Sequence, residues 1–157
     1  MESQPIHERL RALRLKAGLD PEAIAAQIGL SAAWYEDLER DGEELEAGLD
    51  ISQLGKLAVI LGVGMGYLVT GAALPGDVAP LPFQEVARQA RGYLEHAPDL
   101  DSLETKTGWD LGAFLKHPAA EGWEQRLPFF RDVCRELGLD WRGILKYCES
   151  QAAAAEG

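Results

Sequence analysis

The 157-residue chain has only two cysteines, three histidines and two methionines, and its 15 cationic side chains face 26 carboxylates. Cys134 and Cys148 lack CxxC spacing and sit in helix-like stretches, so buried thiols are expected rather than zinc ligands. His7, His96 and His117 fall in three separate segments, which leaves no metal cluster, no acid/base constellation and no implied cofactor. An enzyme is therefore not expected. No run approaches the roughly 20 apolar residues of a membrane span. No stretch alternates apolar and polar residues, so strands are not indicated and an all-α fold is expected. The N-terminus lacks the charged, apolar and cleavage regions of a secretory signal, and a cytoplasmic location follows as the expectation. A net charge of −11 disfavours phosphate-rich partners, because neutralising phosphates supplies most nucleic-acid affinity.

What is present is 46% hydrophobic residues, enough to core one ordinary domain or two small ones. The most ordered pattern runs from Leu19 to Gly42, LDPEAIAAQIGLSAAWYEDLERDG. Asp20 is a good N-cap and Pro21 suits the first helical position, where a missing N–H costs nothing. Ala23, Ile24, Gln27 and Ile28 keep a helical period, and Gly29 ends the helix where a left-handed residue is needed. Ser31 caps a second helix whose Tyr35 and Leu38 point inward, and Asp41-Gly42 closes it. A short helix, a glycine turn and a capped helix form the helix-turn-helix pattern.

This stretch resembles the Xre, or Cro/CI repressor, family. The resemblance extends over about residues 6–71. IHERLRALRLKAGL is similar to the family's first helix, with Leu10 and Leu13 inward. ISQLGKLAVILGVGMGYLVTG is similar to its fourth and fifth helices, with Asp50 or Ser52 as cap and Leu54, Leu57, Ala58 and Leu61 inward. The resemblance implies a lambda-repressor-like fold of five helices. It also implies an ion pair between Arg14 and Glu39 that pins the third helix to the first. Gly62, Gly64 and Gly66 follow a helix rather than a strand, so they are turn residues and not a dinucleotide loop.

The surface that touches DNA in the family departs from the pattern. A phosphate-clamping glutamine is replaced by Pro21, which has no donor. The reading helix would present Ser31, Ala32, Ala33, Glu36 and Asp37 to the bases, where Arg, Lys, Asn or Gln give bidentate contacts. Glu36 and Asp37 can accept from cytosine amines but also face phosphates of like sign. Trp34 is either a wedge against a base or, more often for such a residue, a half-buried core aromatic. The following loop, Glu43 to Gly48, is acidic and longer than usual. Arg9, Arg11 and Lys16 in the first helix reach phosphates or form a solvated face, and the second is favoured. Any DNA contact therefore rests on them and is weak and steeply salt-dependent.

Residues 72–82 hold Pro75, Gly76, Pro80 and Pro82 and read as a linker. Residues 83–150 look like a worn copy of the first domain, giving two tandem helix-turn-helix units. Gly108 stands for Gly29, Leu103 for Ile24, Phe114 for Tyr35 and Cys134 for Ala58, while Leu94 and Pro118 replace the ion pair. Asp101 with Glu104 suits a capping box, Asp110 is a good N-cap, and Pro118 stops a short apolar third helix. Trp109, Trp123, Phe129, Phe130 and Trp141 are core or interface residues, and this apolar half points to a homodimer. Residues 151–157 form an alanine-rich tail expected to fray. Regulation of transcription with weakened operator reading is the expected role. The alternative is a protein-interaction module: an antirepressor, an antitoxin-like partner or an acidic mimic of DNA.

Overall fold

The computed structural model describes residues 4–96 and 99–156. Twelve helices and no strand form among these residues, as the missing alternation implied. The first six are α1 Ile6–Ala17, α2 Pro21–Ile28, α3 Ala32–Leu38, α4 Gly42–Gly48, α5 Ile51–Ile60 and α6 Met65–Thr70. After an unhelical segment come α7 Phe83–His96, α8 Leu100–Thr107, α9 Gly112–Lys116, α10 Pro118–Glu124, α11 Leu127–Leu137 and α12 Arg142–Glu156.

Local chemistry sets the helix-turn-helix. Pro21 occupies the first turn of α2, and Gly29 closes it with φ 76°. That angle suits glycine because it has no Cβ to clash with the following carbonyl. Ser31 Oγ then accepts from the Trp34 N–H at 3.1 Å and starts α3. Tyr35 and Leu38 are fully buried, as their spacing required.

Each half has six helices, not five. The additional helix in the first half is α4, where an acidic loop was expected. Asp41 does not close α3 but caps α4, accepting from the Glu43 N–H at 2.9 Å. Glu43 and Glu44 in the first turn favour the positive end of the helix dipole, and Leu45 buries completely. In the second half, Asp99 rather than Asp101 caps α8, bonding the Ser102 N–H at 2.8 Å. Glu104 accepts instead from the Leu111 N–H at 2.6 Å. Pro118 stops α9 and also opens α10, because proline fits a first turn as well as it breaks an interior. The tail is helical through Glu156, since an alanine run has the highest intrinsic helix propensity.

Buried residues from both halves join one continuous core. The α4 helix packs on α1 and α11, α5 on α10 and α12, and α6 on α12. Residues 72–82 are tied down rather than free, with Val78 buried and the Leu81 N–H donating to the Gly143 carbonyl at 2.8 Å. Across the halves, Arg131 holds Glu46 through two bonds of 2.9 and 3.1 Å and stacks on Trp141 at 4.7 Å. Glu149 of α12 accepts from the Gly66 N–H at 2.8 Å, supplying the cap that Gly64 cannot give to α6.

Candidate nucleic-acid interface

The α3 helix is presented for contact. Ala33, Trp34, Glu36 and Asp37 are exposed, while Ala32 is half-buried and Ser31 spends an oxygen lone pair on its cap. Trp34 is 41% exposed, which places it at the surface rather than in the core. Its ring lies against Gly48 of α4. The α4 helix therefore flanks α3 and turns Glu43 and Glu44 outward beside it.

The electrostatics of this face are one-sided. Residues 31–50 include eight carboxylates and one arginine. Asp37 meets that arginine, Arg40, at 3.4 Å with both side chains exposed. Such a pair is screened and contributes little. Glu46 is drawn away toward Arg131. Among the described residues, Glu36, Glu43 and Glu44 have no cation within 4 Å. Their charge stands toward solvent.

The basic residues of α1 do not gather opposite these carboxylates. Arg9 is not available to DNA at all. It is 5% exposed and donates to the carbonyls of Leu68 at 2.9 and 3.0 Å, Val69 at 3.0 Å and Gln4 at 2.5 Å. Leu68 and Val69 lie in the last turn of α6, so the guanidinium satisfies orphan carbonyls at the negative end of that helix. Burial lowers its pKa from the usual arginine value, but charge-assisted bonds hold it in place. Ile6, Arg9, Leu10 and Leu13 follow the i, i+3, i+4, i+7 template, which puts Arg9 on the inward stripe.

Arg14 and Glu39 form a bidentate pair at 2.8 and 3.0 Å, and Arg14 also donates to the Leu19 carbonyl at 3.0 Å. The side chains are 12% and 9% exposed, so this pair joins α1 to the end of α3. The bond to Glu39 raises the Arg14 pKa. Tyr35 beside them is pushed above the usual phenol range, by burial first and Glu39 next. Arg11 and Lys16 remain exposed. Arg11 shares a shallow depression with Glu39 and Arg40, at the end of α3 remote from Ser31–Ala33.

The third helix of the second half has different chemistry. The α9 helix buries Phe114, exposes Ala113 and Lys116, and is only five residues long. Phe114 stacks edge-on against Phe129 and Phe130, which are fully buried. Trp123 meets Phe83 edge-on, and the Trp109 indole N–H donates to Asp132 at 2.9 Å. The large side chains of this half are thus engaged inside the chain.

Among the described residues no cluster of His, Cys, Asp and Glu is arranged to hold a metal ion. Among the described residues no helix is long and apolar enough to cross a membrane. No curated protein and no solved structure matches the chain. Residues 8–64, from α1 through the turn after α5, match the family model of a helix-turn-helix domain, and this part of the chain is a helix-turn-helix domain of the DNA-binding, generally regulatory kind.

Proposed function

We propose that the chain is an Xre-like cytoplasmic regulatory protein whose helix-turn-helix scaffold persists while its operator reading is weakened. The single observation that carries this is the exposed, unpaired row Glu36, Glu43 and Glu44 around a reading helix that opens with two alanines. Carboxylates there repel phosphates, and alanine methyls read a thymine methyl at best. With Arg9 in the core, only Arg11 and Lys16 remain in α1 to neutralise phosphates. Two such contacts give a log–log salt slope of about −2, shallow rather than steep.

The same row favours a second reading, in which the acidic face with Trp34 at its centre docks a basic protein. Residues 6–71 and 83–150 are proposed as the two units, the second a degenerate copy of the first. Supporting this, left-handed glycines follow the second and fifth helices of each half, Gly29 with Gly108 and Gly62 with Gly138. Buried positions also recur in register, as in Ile51 with Leu127, Leu57 with Val133 and Val69 with Leu145. The aromatic residues that suggested a homodimer are used within the chain, so a second copy is no part of this proposal.

The test is fluorescence anisotropy with randomised duplex DNA at two salt concentrations. Binding weaker than about micromolar at physiological salt is expected, with a slope near −2. E36Q/D37N should tighten it several-fold by removing like charge. Nanomolar, sequence-selective binding by the unaltered chain would overturn the proposal.

A further inference from the structure

We infer that the second half serves the first as a built-in dimer partner, the two meeting about a pseudo-two-fold axis that passes by Asp50 and Arg126. The inference rests on the proposed duplication but goes beyond it, because tandem copies need not face one another symmetrically.

The contacts between the halves are largely reciprocal, the packing of α5 on α12 being the exception. The fourth helix of the first half, α4, packs on the fifth of the second, α11; the fourth of the second, α10, packs on the fifth of the first, α5. The sixth helices, α6 and α12, pack on each other. Reciprocity of this kind is the signature of an isologous interface, in which the same patch is used from both sides. Its centre brings equivalent residues together. Asp50 and Arg126, each the residue before its half's fifth helix, form an isolated antiparallel bridge, with the Ile51 N–H on the Gln125 carbonyl at 2.8 Å. An antiparallel pair has a local two-fold axis between its strands.

Two consequences follow for function. The face that α4, α5 and α6 would otherwise offer to another copy is covered by the chain's own second half. The two reading-helix positions, α3 and α9, are related by the same axis, but α3 presents Trp34, Glu36 and Asp37 where α9 presents only Ala113 and Lys116. The molecule is a one-chain dimer with one blank reader, suited to a single half-site or a single partner rather than a palindrome.

Disulfide trapping on the full chain tests the geometry. Residues paired in an antiparallel bridge have Cα atoms within about 5.5 Å, inside the range a disulfide spans. D50C/R126C should oxidise to an intrachain disulfide and run as a monomer on non-reducing electrophoresis. R126C alone, at an exposed position, should stay monomeric by light scattering near 17.1 kDa from micromolar to 100-fold higher concentration. If a second copy used this axis, R126C would cross-link to R126C of that copy. Such a dimer, or an interchain product from the folded double variant, overturns the inference. Failure of the axis would leave the DNA titration unchanged, so the two proposals fail separately.

Discussion

At the scale of single residues, Arg9 shows how position decides what a charge does. On a helix flank an arginine is a phosphate ligand; on the inward stripe it becomes part of the architecture. Its bonds to Leu68 and Val69 join the first and sixth helices, which are 59 and 60 residues apart in the chain. Truncating it leaves buried carbonyls without donors, at a cost of about 1–3 kcal/mol each way one counts the lost charge-assisted bonds. Arg9→Ala is therefore expected to lower stability by about 2–3 kcal/mol in urea unfolding. Affinity for DNA, measured where the variant is still folded, should not change. A loss of DNA binding with stability intact would return Arg9 to the phosphate-contacting set.

At the scale of elements, close backbone approach explains where helices can meet. Gly122 in α10 is buried, and a Cβ built there runs into the Phe83 ring of α7. Phe83 cannot yield easily, being stacked on Phe130 at 5.2 Å and edge-on to Tyr147 at 5.1 Å. Gly122→Ala is expected to cost about 1–3 kcal/mol despite alanine's better helix propensity. A thermal melt at or above that of the parent would show that α10 has room to shift. The capped and glycine-closed elements, α2 and α3, were legible because Pro21, Gly29 and Ser31 signal through their own backbone. The α4 helix was not. Its residues are those of an acidic loop, and what makes it a helix is Leu45 packing into a core built partly by α11. Arg9 was misread as a phosphate contact or solvated residue, because its partners on α6 are ones no local pattern reveals. The acidic character of the α3 face, by contrast, was legible in full, since Glu36, Asp37, Glu43 and Glu44 are exposed and surface charge needs no partner to be read.

At the scale of the whole molecule, one core implies one cooperative unfolding transition, and buried thiols set its alkaline limit. Burial, reinforced by Asp140 and Glu149 respectively, pushes Cys134 and Cys148 up to about 12. In the unfolded chain these thiols titrate near pH 8.5. Above that value the unfolded state releases protons that the folded state keeps, so the contribution is complete below pH 8.5 and is lost as pH rises toward 12. Between pH 9 and 10 the two thiols together should remove about 2 kcal/mol. Urea titrations followed by both tryptophan emission and circular dichroism check this, with C134A/C148A as the reference that flattens the pH profile. An unchanged midpoint over that interval, or two separated transitions, would contradict it.

The carboxylate of Glu149 on the amide of Gly66 has a consequence in time as well as in space. The two residues are 83 apart, and translation proceeds at about 5–20 residues per second, so roughly 4–17 s pass before α12 reaches the α6 terminus it completes. During that interval α3 is already made, but α6 lacks its closure. A protease that clips α12 would leave a helix-turn-helix domain whose α6 N-terminus has lost its cap.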